Sequence, residues 1–165
     1  MNYTNLLESV IEVSYLAGSK ILEIYNDNNY NESIEIKKDA SPLTIADKAS
    51  NKVIIQSLKK INNTIPILSE EENEIDFITR KKWNQFWLVD PLDGTKEFIK
   101  RNGEFTVNIA LIENNKPILG VIFVPAKSKL YFAQKKYGSF KINTKVKLNT
   151  LDKAKQIFVS KKYNL

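Results

Sequence analysis

Leu68-Ser69-Glu70-Glu71 and, after a polar spacer, Trp87-Leu88-Val89-Asp90-Pro91-Leu92-Asp93-Gly94-Thr95 decide how this chain is read. Ile65 to Leu68 and Phe86 to Val89 are short apolar runs with the composition of buried strands. Acids follow each run. A strand carries its last residue to the edge of a sheet, where neighbouring side chains converge. Glu70, Asp90 and Asp93 then place three negative charges in one small volume. Such a cluster is costly unless a cation neutralises it. Hard oxygen ligands in this number suit Mg²⁺, and a carboxylate shared between two ions suits a two-metal phosphatase.

The chain has no His and no Cys. Ser-His-Asp and Cys-His nucleophilic catalysis, the usual zinc sites and a disulfide framework are therefore excluded. Hydrolytic chemistry here must rest on carboxylates, hydroxyls and hard metals. No apolar run reaches the roughly 20 residues of a membrane span. Met1 to Glu8 lacks the basic start and apolar block of a signal peptide. The expected location is the cytoplasm, with peripheral contact at the inner face of the cell membrane compatible with the charge. That charge is +6, from 25 Lys and Arg against 19 Asp and Glu. The lysines are scattered among Asn and Ile without a dense block, which reads as ordinary solvated charge. A nucleic-acid-binding module would need a Lys/Arg patch interleaved with aromatics, and none is present.

Working outward, 165 residues fit one domain able to bury roughly 70% of its unfolded surface. Leu6, Val10, Val13, Ala17, Ile21 and Ile24 recur at three- and four-residue steps and predict a helix from about Asn5 to Asn26. Ile34 and Ile36 alternate with Glu35 and Lys37 as in a strand, and Ser41-Pro42 marks a turn. A second helix is expected from about Thr44 to Ile61. Glu70 to Gln85 is polar and reads as a helix with loops. From Phe105 the pattern becomes strand-like: Phe105 to Ile112, Pro117 to Val124, Lys129 to Gln134 and Ser139 to Lys147. Asn114-Asn115 and Tyr137-Gly138 supply turns. Ile157-Phe158-Val159 reads as one more strand. Helices first and an antiparallel meander after them predict an α+β layered fold.

Asp90-Pro91-Leu92-Asp93-Gly94-Thr95, preceded by Ser69-Glu70-Glu71 and by Ser41-Pro42-Leu43-Thr44-Ile45-Ala46-Asp47, resembles the motif set of the inositol monophosphatase superfamily. These are Mg²⁺-dependent, lithium-sensitive phosphatases. The continuation Lys96 to Asn108 is similar to the CysQ branch, the 3'(2'),5'-bisphosphate nucleotidases, which remove a phosphate from adenosine 3',5'-bisphosphate. Inositol phosphatases of this superfamily typically have Asn-Phe where this chain has Glu97-Phe98. Lys100 and Arg101 add two cations nearby, suited to a doubly phosphorylated ligand or simply facing solvent.

The resemblance implies roles for particular residues. Glu70, Asp90 and the backbone carbonyl of Leu92 would hold one Mg²⁺. Asp90 would bridge to a second, which Asp93 also binds. Thr95 and Asp47 would orient and deprotonate the attacking water. Gly94 and Thr95, opening a helix, would offer backbone N–H groups to the substrate phosphate. Glu71 would lie behind these ligands or serve a third ion.

The same residues have simpler readings. Thr44 and Asp47 fit a capping box. Ser69 and Glu72 could cap a following helix in the same way, with Glu70 and Glu71 favouring its positive end. Asp93-Gly94 is an ordinary turn dipeptide and Thr95 an ordinary N-cap.

Family members continue into a second half that adds a metal-binding Asp in a Trp-Asp-x-Ala-Ala motif and much of the nucleotide wall. Here Trp83 and Trp87 precede Asn84 and Leu88, so that motif is missing. Residues 1–165 are thus expected to form one N-terminal α+β metal-binding domain, with the second metal short of a ligand. Two outcomes stay open: a nucleotidase linked to sulfate assimilation and impaired by truncation, or a non-catalytic remnant that binds metal or pairs with another chain. Inositol monophosphatase-like activity is a further alternative.

Overall fold

The structure, a computed structural model, describes residues 3–27, 34–36 and 42–143. Helix α1 spans Tyr3–Tyr25 and buries Leu6, Val10, Val13, Ala17 and Ile21, the stripe expected from their spacing. It lies unusually close to the sheet at one point. A Cβ added to Gly18 would sit 2.5 Å from the Phe123 ring, so only glycine allows that approach. Tyr15 packs edge-on against the same ring at 4.7 Å.

Strands β1 (Ile34–Ile36) and β2 (Pro42–Thr44) pair antiparallel, so Pro42 opens a strand. Helix α2 (Ile45–Ile61) follows directly. Thr44 caps it and Asp47 closes the box from the third helical position, as the capping reading expects.

Strand β3 (Ile67–Ser69) runs parallel to β4 (Gln85–Asp93). The meander continues antiparallel through β5 (Thr106–Glu113), β6 (Lys116–Val124), β7 (Lys129–Gln134) and β8 (Gly138–Asn143). The sheet is therefore mixed, in the order β3-β4-β5-β6-β7-β8. Asn114 and Asn115 both take positive φ, 49° and 60°, the backbone a tight two-residue hairpin demands. In the polar stretch before β4 the only helix is a single turn, α3 (Phe77–Arg80), capped by Asp76. Helix α4 (Thr95–Ile99) follows β4. Strand Ile157 to Val159 and the expected extension of β8 to Lys147 lie outside the described residues.

Helices α1 and α2 cover one face of the sheet. Trp87, Val89, Val107, Ile109, Leu111, Val121 and Phe123 point into that core and are buried. Among the described residues no element covers the opposite face, where Leu88 and Ile122 are 45% and 46% exposed. Across it Leu88, Ala110, Gly120 and Ala133 fall in one register row. Ala110, Gly120 and Ala133 are small and, with Leu88, line a trough of about 940 Å³ that reaches Glu70 and Asp90 at one end. Among the described residues no helix is long and apolar enough to cross a membrane.

Candidate active site

The parallel β3–β4 pair brings the two acidic motifs together. Ser69 stands beside Val89 in register, and the Glu70 amide donates to the Val89 carbonyl at 3.1 Å. Glu70 therefore leaves β3 next to Asp90. Strand β4 does not stop at Val89. It pairs on to Asp93, with a bulge between Asp90 and Asp93: Asp90 faces Asn108 and Asp93 faces Thr106. Pro91 has no N–H for the ladder, and the extra residue bends the strand. In a regular strand residues three apart point to opposite faces; the extra residue of the bulge sets Asp90 and Asp93 opposite Asn108 and Thr106, which share one face.

Asp90 is the electrostatic centre. Burial, then the negative charges of Glu70, Asp93 and Glu71, push its carboxyl up to about 7 against a lowering backbone hydrogen bond. Its Oδ1 is buried and has no hydrogen-bond partner. A buried, unpartnered carboxylate oxygen among like charges is a position that a cation would satisfy. The donor set fits Mg²⁺, which takes hard oxygen ligands. The acids are not drawn into a closed cage. Among the described residues no three acidic side chains converge around a common point able to hold an ion. Two of them have other partners: Asp93 Oδ2 accepts from Asn108 Nδ2 at 3.2 Å, and Asp47 is held by Thr44 and Thr95. Their mutual repulsion also favours spreading.

Asp47 and Thr95 form the second part of the site. The Thr95 hydroxyl lies 3.0 Å from Asp47 Oδ1 and 3.3 Å from the Leu92 carbonyl, and donates toward both. Asp47 Oδ2 accepts from the Thr44 amide at 2.8 Å and from the Thr44 hydroxyl. The capping and catalytic readings of Asp47 are thus compatible, because different oxygens serve each. Thr95 is not the N-cap of α4. That position is Gly94, at φ 91°. A Cβ on Gly94 would lie 2.9 Å from the Glu104 carbonyl oxygen, so both conformation and space require glycine. Phe98 and Phe105 anchor the turn from below, at a ring separation of 5.3 Å.

The structure departs from the sequence reading at two further points. Ser69 and Glu72 cap no helix; both reach Asn51 on α2. The Ser69 hydroxyl donates to Asn51 Oδ1 at 2.8 Å, and Asn51 Nδ2 donates to Glu72 Oε1 at 2.7 Å. Arg101 is tied to another element of the fold. Its guanidinium lies 4.7 Å over the Tyr25 ring and donates to the Tyr25 carbonyl, tying α4 to the end of α1. Lys100 stands 4.0 Å from Glu97.

Residues not singled out in the sequence also hold the site. Ser50 donates to the Pro91 carbonyl at 2.7 Å, and Asn108 steadies Asp93. A signal for Ser50 and Asn51 exists. They stand three and four residues after Asp47, on the helix face that is otherwise buried, where polar residues need partners.

A sequence profile of the inositol monophosphatase family matches residues 2–164. The 3'(2'),5'-bisphosphate nucleotidase CysQ of Salmonella typhimurium is 48% identical over 128 residues, 78% of this chain and 51% of that protein. CysQ of Buchnera aphidicola is 44% identical over 146 residues, 84% of this chain and 54% of that protein. The crystal structure of CysQ from Bacteroides thetaiotaomicron, described as a bacterial member of the inositol monophosphatase family, superposes with a TM-score of 0.75 at 43% identity. It covers 94% of this chain and 56% of the other. The chain spans about half the length of the curated relatives it matches. With the motifs in order, the fold shared and the profile matched nearly end to end, this chain belongs to the inositol monophosphatase family.

Proposed function

We propose that this chain carries the metal- and phosphate-binding half of a Mg²⁺-dependent 3'(2'),5'-bisphosphate nucleotidase, which converts adenosine 3',5'-bisphosphate to AMP and phosphate in the cytoplasm, in support of sulfate assimilation. The observation that carries the reading is Asp90: a buried, unpartnered carboxylate oxygen beside Glu70 and Asp93, five residues before Thr95, which bonds Asp47.

Glu70, Asp90, Asp93 and the Leu92 carbonyl would hold the metal. When bound, divalent cations there supply charge neutralisation for the phosphoryl group and acidify a water. Thr95 Oγ1 would accept a hydrogen bond from that water, a role supported by its own proton pointing toward Asp47 Oδ1 and the Leu92 carbonyl. Asp47 can then take the Thr95 proton as Thr95 takes one from the water. The amides of Gly94 and Thr95 would orient the phosphate oxygens. The nucleotidase preference is supported by identity to the CysQ relatives, not by Lys100 or Arg101.

The test has two stages. Calorimetric titration of Mn²⁺ into the purified chain should show binding that Asp90→Asn weakens. A chimera completed with the second half of the Salmonella relative should then hydrolyse adenosine 3',5'-bisphosphate. A higher specificity constant for inositol 1-phosphate would overturn the nucleotidase assignment, and absence of metal binding would overturn the whole reading.

A further inference from the structure

We propose that Asn51, with Ser50 beside it, is a positioning residue for the metal ligands, so that one turn of α2 acts as a frame for all three segments of the site. This rests on the metal-binding reading above. Asp47, Ser50 and Asn51 are 1%, 0% and 6% exposed. Each holds a different segment. Asp47 holds Thr95. Ser50 holds the Pro91 carbonyl, inside the bulge between Asp90 and Asp93. Asn51 holds Ser69 and Glu72, which bracket Glu70 and Glu71.

The chemistry of Asn51 is specific. Its carboxamide accepts from Ser69 and donates to Glu72 at once. Asp would keep the acceptor but lose the donor and face the Glu72 charge. Leu would lose both, and Gln would be longer by one methylene. Beyond β3 the backbone turn is loosely closed, with Glu72 N to the Ser69 carbonyl at 3.3 Å and Glu71 N to Ser69 Oγ at 3.4 Å. The Asn51 bonds are shorter and set where the turn sits. Removing such outer partners of metal ligands typically costs about 10–100-fold in metal affinity.

The experiment measures Mn²⁺ affinity of the full chain by calorimetry, and amide exchange of Glu70 to Glu72 without metal. Asn51→Ala should weaken Mn²⁺ binding about 10–100-fold and speed exchange in that turn. Glu72→Gln keeps the acceptor for Asn51 while removing a charge, so its affinity should stay within about threefold of wild type on the same positioning logic. Should Asn51→Ala fail to fold, Ser69→Ala removes one bond of the pair and should weaken binding several-fold. Equal affinity in wild type and whichever of these two variants folds would overturn the proposal, as would a loss in Glu72→Gln as large as in Asn51→Ala. If wild type binds no Mn²⁺, the metal reading itself falls and takes this role with it; intact metal binding with an indifferent Asn51 defeats the positioning role alone.

Discussion

The Thr95 hydroxyl and the Asp47 carboxylate lie 48 positions apart in the chain and 3.0 Å apart in space. The contact joins the first residue of a short helix to the third residue of a long one, and Asp47 is the nearer of the two acceptors of the Thr95 hydroxyl. In an enzyme completed with a second half, Thr95→Val should lower kcat by about 10²–10⁴, the range for loss of proton transfer. KM should change little, because the substrate phosphate would meet backbone groups. Thr95→Ser should retain most activity. Steady-state phosphate release checks all three, and a Val variant with near-normal kcat would remove Thr95 from the mechanism.

Neutralising Asp90 should stabilise the metal-free chain. Asp90→Asn relieves repulsion from Glu70 and Asp93 and removes a buried charge. In wild type, Mg²⁺ at about 100 times its Kd should add roughly 2.7 kcal/mol of stability. Melting with and without the ion, in both proteins, should show a higher metal-free Tm for the variant and a larger shift on adding Mg²⁺ for wild type.

The chelated protein should lose stability as pH rises toward and past about 7. The Asp90 carboxyl sits at about 7 in the fold against 3.8 for an ordinary carboxyl. Between those values the folded chain keeps a proton that the unfolded chain has released. Stability from that proton is fully present below the ordinary value and is lost as pH rises through the folded one. Melts in EDTA from pH 5.5 to pH 8 should therefore fall in wild type and be flatter in Asp90→Asn. A wild-type profile no steeper than the variant's would contradict the buried placement of this group.

Gly94→Ala should destabilise the chain by about 1–3 kcal/mol, since it combines a positive-φ residue with a close contact. The added methyl meets the Glu104 carbonyl, a backbone group that cannot swing aside. Urea unfolding would show the loss as a lower midpoint at unchanged slope.

The open sheet face should make the isolated chain self-associate. Leu88 and Ile122 are large, apolar and nearly half exposed beside the small-residue trough. Leu88→Lys with Ile122→Lys should shift light scattering at high concentration toward monomer. A wild-type chain already monodisperse as a monomer there would count against this.

Much of the fold was legible because its signals are local. The stripe Leu6 to Ile21, the Thr44–Asp47 box and the Asn114-Asn115 turn are each written within a few residues. The nearness of Glu70 to Asp90 was legible because each stands at the end of an apolar run, whereas the closed convergence of three acids that the same runs suggested is not seen among the described residues. What stayed hidden depends on distant partners. Asn51 meets Ser69 and Glu72, 18 and 21 positions on, only because α2 docks beside the β3–β4 pair. Arg101 read as a cation for a phosphate or for solvent, yet the end of α1 brings it the Tyr25 ring from 76 positions away. The parallel pairing of β3 was also obscure, because only three residues form it and the crossing stretch carries a single helical turn.

The row Leu88, Ala110, Gly120, Ala133 also has a calorimetric consequence. Covering an apolar face lowers heat capacity, and the gain from apolar burial weakens on cooling. Any helix or second chain seated on this trough should therefore bind with a negative heat-capacity change and loosen in the cold. The isolated chain, with that face still wet when folded, should in turn unfold with a smaller heat-capacity increment per residue than a domain of equal length covered on both sides.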